Sequence, residues 1–280
     1  MDFYHFGIEI EIVAVPHEIR EPLVPAKYYE LLARALVKRG LKAEHNSAAN
    51  RKRSDLYSSS WYITRDGSLS ATPPESKYGT PGDGLRSSAD GNTVALEAVS
   101  PILSTREDWE SEIDTFWTAQ SKVFHMPTRS LECGSHVHVS PSALRFGTEQ
   151  LRDIAVGIMY YESYIDEMLP RSRRHNAYCQ KNSISASQDT SGVDGWQRFV
   201  RAIRTADRNT IHYLMQSDRR VVWNFEHVVE GGTGSIEFRG GRYLRGTVRT
   251  KRWIAFAVGY IELLRKLVRQ LQFRFLDRLD

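Results

Sequence analysis

Pairs of ionisable side chains recur at a spacing of two residues in three short segments, FGIEIEI, GSHVHVS and GSIEFR. The pairs are Glu9 with Glu11, His136 with His138, and Glu237 with Arg239. Residues two apart on a β-strand point to the same face, so each pair is predicted to project from a strand opposite its apolar neighbours. Glu97 has a comparable setting in VALEAVSP. A solvated sheet face also alternates polar with apolar residues, and this is the alternative for any one strand.

The types of side chain in these pairs indicate a site for metals and phosphate. Carboxylates with one or two imidazoles suit Mg²⁺ or Mn²⁺, because hard cations prefer oxygen ligands and Mg²⁺ often completes its shell with phosphates and water. The Arg239 guanidinium suits forked contacts with phosphate oxygens. Zinc held by His136 and His138 is the alternative metal, but no third His or Cys lies at an obvious spacing. The run Gly231–Gly234 lacks the pattern of a phosphate-binding loop and is predicted to be a tight turn.

Sheet and helix segments surround these pairs. The spacing of apolar residues predicts a helix between Pro25 and Gly40, a single helix over 148–169, and a final helix with an apolar stripe ending near Leu271. WYITRDGS, at 61–68, is predicted to be a strand that runs into a turn. Residues 70–92 are rich in proline and glycine and are predicted to be a mobile loop that covers the site when substrates bind.

Composition excludes a disordered or membrane-spanning chain. The 280 residues include 41% hydrophobic side chains, enough for a sizeable core, and no apolar run reaches the roughly 20 residues that a membrane helix needs. The formal charge of +4 suits an anionic small molecule as well as nucleic acid. With two cysteines and no leader pattern, a cytoplasmic protein is expected. The regular apolar stripe of the basic C-terminal helix argues against nucleic acid as its partner.

The order of these segments resembles the motifs of the amidoligase family, within the glutamine synthetase and glutamate-cysteine ligase superfamily of carboxylate-amine ligases. The resemblance covers most of the chain, and the ordered series is more specific than any one motif. The matching segments are FGIEIE at 6–11, WYITRDGSL at 61–69, EAVSPIL at 97–103, CGSHVHV at 133–139, RHNAYC at 174–179, RRVVWN at 219–224, IEFR at 236–239 and GT at 246–247.

The resemblance implies an α+β fold in a single domain over 1–280, with a curved antiparallel sheet whose concave face is catalytic and which helices back, as in the catalytic domain of glutamine synthetase. It implies ATP and Mg²⁺, with Mn²⁺ as an alternative. The implied metal ligands, which should converge on that face, are Glu9, Glu11, Glu97, His136 and Glu237. The implied catalytic residues are Arg239, Glu237 and His136, and the implied nucleotide contacts are His138, Arg239, Trp61 and Asp66. The implied substrate contacts are Arg174, Tyr178, Arg219 and Asn224.

The function implied by the resemblance is ATP-dependent condensation of a small-molecule or peptide carboxylate with an amine, through an acyl phosphate and with release of ADP and phosphate. Two other classes stay open. A two-metal hydrolase would use the same carboxylates and imidazoles to activate water without ATP. A basic nucleic-acid-binding module would bind in a salt-dependent manner that survives chelation. For Arg174 and Arg219, a basic surface loop is the alternative interpretation, and for Asp66 it is turn formation before Gly67.

Overall fold

A computed structural model describes residues 3–18, 23–46, 59–65, 69, 93–126, 133–174 and 176–275, with side chains to residue 267. Asp66 and the predicted loop 70–92 lie outside the described residues. Within them the chain is α+β. The strands are β1 (Tyr4–Pro16), β2 (Ala43–His45), β3 (Trp61–Thr64), β4 (Val94–Val99), β5 (Leu103–Ser104), β6 (Phe124–His125), β7 (Gly134–Pro141), β8 (Trp223–Asn224) and β9 (Ile236–Arg242). The helices are α1 (Pro25–Val37), α2 (Trp109–Val123), α3 (Thr148–Tyr160), α4 (Glu162–Met168), α5 (Asn182–Ser185), α6 (Gly192–Thr205), α7 (Arg208–Met215) and α8 (Thr247–Phe275).

The strands form one open sheet in the order β2-β3-β4-β1-β7-β9-β8, and β5 and β6 pair with the ends of β1. Every pairing is antiparallel except that of β2 with β3, which is parallel. The expectation of an antiparallel sheet is therefore wrong at this edge, and the sheet is mixed. A parallel pair needs a crossover connection, and the chain between His45 and Trp61 is long enough to make one.

The two faces of the sheet differ sharply in polarity. On β1, Ile8, Ile10 and Ile12 are fully buried in a core that also contains residues of α1, α2, α3 and α8. This core also takes the alternate residues of β4, β7 and β9, because side chains at a spacing of two share a face. The carboxylates and imidazoles of the same strands consequently project from the opposite face.

The helices begin and end mostly where the sequence predicts. Pro25 occupies the first turn of α1, and Gly40 follows that helix with a φ of 89°. The predicted single helix over 148–169 is instead two helices, because Tyr161 leaves helical geometry at φ −96° and ψ 10°. The apolar period continues across this break, so the pattern alone does not reveal it. No helix in the described ranges has both the length and the apolar content to cross a membrane.

Candidate metal centre

The pairing of four strands brings the predicted ligands together on one face of the sheet. Glu9 of β1 lies opposite His136 of β7, and Glu11 lies opposite Glu97 of β4. Across the next pairing, His138 of β7 lies opposite Glu237 of β9. Directly opposed residues of an antiparallel pair share a face, so the alternation seen in each separate strand becomes one continuous cluster.

The His136 imidazole lies at the centre of this cluster. Its Nδ1 is 2.9 Å from Glu9 Oε2 and 3.3 Å from Glu237 Oε1, and its Nε2 is 3.4 Å from Glu11 Oε1. His136 is 5% exposed, so these contacts are formed away from bulk water. His138 lies at the margin of the cluster, with Nε2 3.2 Å from Glu9 Oε1.

A bulge in the sheet aims Arg239 at the same place. The pairing of β7 with β9 shifts register between Ser135 and Val137, which leaves two residues of β9 opposite His136. Arg239 Nη1 donates to Glu237 Oε1 at 2.6 Å and lies 3.5 Å from His136 Nδ1. The guanidinium therefore sits beside the carboxylates with one edge engaged and its Nε unpaired.

Buried amides fix the orientation of Glu237. Asn224 of β8 lies opposite Glu237 and donates from Nδ2 to Glu237 Oε2 at 2.6 Å. The Asn224 Oδ1 accepts from Gln216 Nε2 at 2.7 Å, and Gln216 Oε1 accepts from the backbone N–H of Phe225 at 2.6 Å. Asn224 is 2% exposed, so its place in this structure is that of a support for Glu237.

The electrostatics of the cluster favour ionised carboxylates. Burial raises the pKa of Glu9, but the charge of His138 and hydrogen bonds from both histidines outweigh it and hold this pKa well below its usual value. The pKa of Glu237 is also lowered. Burial alone would raise this pKa, but the charges of His138, Arg239 and His136 outweigh the effect of burial. The pKa of His138 is raised despite burial, because Glu237 and Glu9 stabilise its protonated form.

The donor set fits divalent cations. Glu9, His136 and Glu237 each offer an atom within 4.8 Å of the other two, and Glu11 and Glu97 add carboxylates at 5% and 4% exposure. Four carboxylates of low exposure thus lie on one face of the sheet, together with one guanidinium and two imidazoles. Such a set is costly to bury unless cations compensate it, and oxygen-rich ligation with imidazole suits Mg²⁺ or Mn²⁺.

Trp61 lies on the opposite side of the sheet. It is fully buried, its ring stacks on Phe116 of α2 at 4.2 Å, and its Nε1 donates to Glu112 at 2.8 Å. The implied nucleotide contact through Trp61 therefore does not fit the structure, because the helices cover this residue. Its neighbour Tyr62 points to the other face, where it pairs with Val99 beside the cluster.

Three of the implied substrate contacts lie elsewhere. Arg174 donates to the carbonyls of Glu167, in the last turn of α4, and of Leu169, which follows this helix. Its guanidinium therefore caps the C-terminal end of α4. Tyr178 is 47% exposed in a turn held by Asn176. Arg219 is exposed, and among the described residues it forms no hydrogen bond or ion pair with the cluster. The motif at 219–224 contains β8, and Gln180, directly after the motif at 174–179, bridges to Val221 just before β8. Neither motif brings these three side chains into the candidate metal centre.

Two further residues lie at the cluster, and the sequence pattern did not predict the first of them, His227. His227, in the 3₁₀ turn Glu226–Val228, stacks obliquely on His138 with ring centroids 5.4 Å apart. Arg173 is 2% exposed, and its Nη2 donates to the backbone carbonyl of Arg239 at 2.7 Å. A Cβ on Gly134 would lie 3.0 Å from that Nη2, so the glycine of CGSHVHV leaves room for the guanidinium. No local periodicity marks either residue, because both reach the cluster from turns.

Comparison with known proteins identifies the chain through its family. A search of curated proteins and a search of solved structures each find no match. A family model described as "Putative amidoligase enzyme" matches residues 3–261, a range that contains every member of the cluster described above. The chain therefore belongs to this amidoligase family, whose name describes amide-forming ligases.

Proposed function

We propose that the protein is an ATP-dependent carboxylate-amine ligase of the glutamine synthetase and glutamate-cysteine ligase superfamily. The observation that supports this most directly is the set Glu9, His136 and Glu237, of which His136 and Glu237 are buried, with Arg239 on the same strand face, in a chain of an amidoligase family. The proposed substrates are a small-molecule or peptide carboxylate, an amine and ATP. The site would lie on the concave face of a curved sheet.

The proposed reaction has two steps. A carboxylate oxygen of the first substrate attacks the γ-phosphorus of ATP, and ADP leaves, which gives an acyl phosphate. The nitrogen of the amine then attacks the acyl carbon, phosphate leaves with the bonding pair, and the nitrogen loses a proton as the amide forms. A free carboxylate is a poor acyl donor, and phosphorylation supplies it with a leaving group.

Different residues of the cluster would bind the cations and contact the phosphoryl group. Glu9, His136 and Glu237 would hold one cation, and Glu11 and Glu97 would contribute carboxylates to a second. Bound Mg²⁺, or Mn²⁺, offsets the charge of the triphosphate. Arg239, positioned by Glu237 at 2.6 Å, would contact two oxygens of the transferring phosphoryl group.

The decisive experiment measures nucleotide turnover with Mg²⁺ and pooled carboxylates and amines, with mass spectrometry to find the condensation product. We expect ADP, phosphate and an amide in equal amounts. Glu237→Gln should abolish turnover, and Glu226→Gln, in the neighbouring turn with a side chain 53% exposed, should leave it unchanged. Release of AMP and pyrophosphate would exclude the acyl-phosphate route. Substrate cleavage without ATP would favour a two-metal hydrolase instead.

A further inference from the structure

A second group of ligand atoms lies beside the proposed magnesium site. His138, His227 and Glu237 each offer one donor atom within 4.8 Å of the other two. We propose that these three residues bind a transition-metal cation of the Zn²⁺ type in preference to Mg²⁺. This binding goes beyond the ligase reaction and does not depend on it.

Three separate elements bring these donors together. His138 on β7 and Glu237 on β9 are register partners, and His138 Nε2 is 4.0 Å from Glu237 Oε1. His227 comes from the 3₁₀ turn that follows β8, and β8 pairs with β9 at Glu237. The turn thus approaches the sheet at the level of these two ligands and places the second imidazole over the first.

The glycine-rich turn after His227 fixes the backbone of His227, and with it the position from which the imidazole projects. The N–H of Gly234 donates to the carbonyl of His227 at 2.7 Å, and a Cβ on Gly232 would lie 2.4 Å from that oxygen. Gly231 and Gly234 have φ values of 83° and 92°, which other residues rarely adopt. The run Gly231–Gly234, which the sequence predicts to be a tight turn, does lie in a turn. This turn sets the position of His227 relative to the sheet.

The spacing of the donors needs only a small contraction to coordinate a cation. Tetrahedral Zn²⁺ with bonds of about 2.0–2.1 Å separates its ligand atoms by about 3.3 Å. The rings of His138 and His227 are 5.4 Å apart and inclined by 57°, and both residues are partly exposed. Rotation of the two imidazoles about their side-chain bonds can therefore bring the three donor atoms to coordination distance without moving β7 or β9.

The chemistry of the donors distinguishes this position from its neighbour. Two imidazoles with one carboxylate form the three-ligand set of many zinc sites, which leave a fourth position open. Glu9, His136 and Glu237 instead contribute two carboxylates and one imidazole, with Glu11 close to His136. Imidazole nitrogen favours Zn²⁺ and related metals, and carboxylate oxygen favours Mg²⁺. The two positions share Glu237 and should differ in the metal that they prefer.

The test measures Zn²⁺ binding to the full chain by equilibrium dialysis in excess Mg²⁺ without nucleotide, with Co²⁺ absorption as a probe of nitrogen coordination. Wild type should retain Zn²⁺, and its Co²⁺ complex should show an intensified visible spectrum. His227→Gln and His138→Gln should each weaken Zn²⁺ binding by more than about 100-fold, which exceeds the usual effect of losing a merely supporting residue. Thermal unfolding of each variant establishes that it is folded.

His212→Gln is the matched control. His212 also contacts a carboxylate, with Nε2 3.2 Å from Glu226 Oε2, but it is not among the three ligands, so Zn²⁺ binding should be unchanged. Retention of wild-type affinity by folded His227→Gln would overturn the proposal. A loss in His136→Gln that His227→Gln does not share would place Zn²⁺ in the neighbouring set and would also overturn it. Neither result requires ATP turnover, so failure here is separate from failure of the ligase proposal.

Discussion

At the scale of single residues, the proposed ligase reaction assigns Arg239 to the transferring phosphoryl group. Arg239→Lys should lower turnover about a hundredfold, on the order of 3 kcal/mol in transition-state stabilisation, because an ammonium cannot make a forked contact with two oxygens. Nucleotide affinity should fall much less, since the proposed cations would still hold the ground-state triphosphate. Steady-state kinetics and nucleotide titration separate the two effects.

Arg220→Lys is the control for this comparison. Arg220 makes a two-pronged contact with Asp218, but its side chain is 50% exposed. Its replacement should leave turnover and nucleotide affinity as in wild type. A variant at Arg239 that loses nucleotide affinity but turns over normally would assign the guanidinium to ground-state binding.

Asn224 is expected to act through Glu237. Asn224→Ala removes the donor to Glu237 Oε2 and should weaken Mn²⁺ binding by about 10–100-fold, the usual effect of losing an outer-shell partner of a metal ligand. Titration of the metal-free protein with Mn²⁺, followed by electron paramagnetic resonance, measures this directly. Asn209→Ala, which removes an exposed contact to the N–H of Glu230, should leave the affinity unchanged. Equal affinities in all three proteins would contradict a supporting role.

At the scale of elements, the bulge in β9 decides where Arg239 points. A Cβ on Gly240 would lie 2.6 Å from Phe238 Cζ and 2.7 Å from Leu169 Cδ2. Gly240→Ala should therefore lower the free energy of unfolding by about 1–3 kcal/mol through overpacking. It should also weaken Mn²⁺ binding, because relief of the clash moves the strand that carries Glu237.

Gly259→Ala is the matched control for the bulge variant. Gly259 is exposed in α8, and a Cβ there meets nothing within 4 Å. This substitution should raise the free energy of unfolding by about 0.5–1 kcal/mol, the usual gain for alanine over glycine inside a helix. Urea unfolding of the two variants should therefore change in opposite directions. A stable Gly240→Ala variant with normal Mn²⁺ affinity would show that the strand accommodates the methyl group.

Apolar and ionisable residues alternate in β1, β7 and β9. Because the strand period is two and one face is apolar, this alternation made it possible to predict which face of the sheet each ionisable residue of the cluster lies on. The period does not tell which of two adjacent aromatic residues faces the site: Trp61 packs on the helices, whereas Tyr62 lies on the face that carries the carboxylates. His227 could not be predicted, because it reaches the cluster from a turn whose position depends on strand pairing, and the same holds for the contact of Arg173 with the Arg239 carbonyl. Family motifs mark Asn224 but do not reveal that it holds Glu237 instead of substrate.

At the scale of the whole molecule, the charge cluster should make stability depend on pH when metals are removed. Burial opposes protonation of His138, but Glu237 and Glu9 raise its pKa above the ordinary value of 6.5. A group whose pKa is raised by folding stabilises the folded state fully below its unfolded pKa, and this contribution disappears as pH rises through the folded pKa. His138 therefore favours the folded state at about pH 6 and ceases to do so in more alkaline solution.

His227 acts in the opposite direction over the same range. Burial and the charge of His138 lower its pKa, so it destabilises the folded protein as pH falls below about 6.5. Glu9 and Glu237 have lowered pKa values, so their contributions are lost only in acid, below the ordinary carboxylate value. The effect of His138 is thus best isolated in a His227→Gln background, with a chelator present.

In that background the free energy of urea unfolding should fall as pH rises from about 6 towards 9, and the added substitution His138→Gln should remove this part of the slope. The difference between the two variants at each pH reports His138, because residues outside the cluster contribute equally to both. A difference that stays constant with pH would mean that folding does not raise the His138 pKa. Added Mn²⁺ should reduce the difference in slope, since a cation at Glu9 and Glu237 offsets the carboxylate charges that hold the proton on His138.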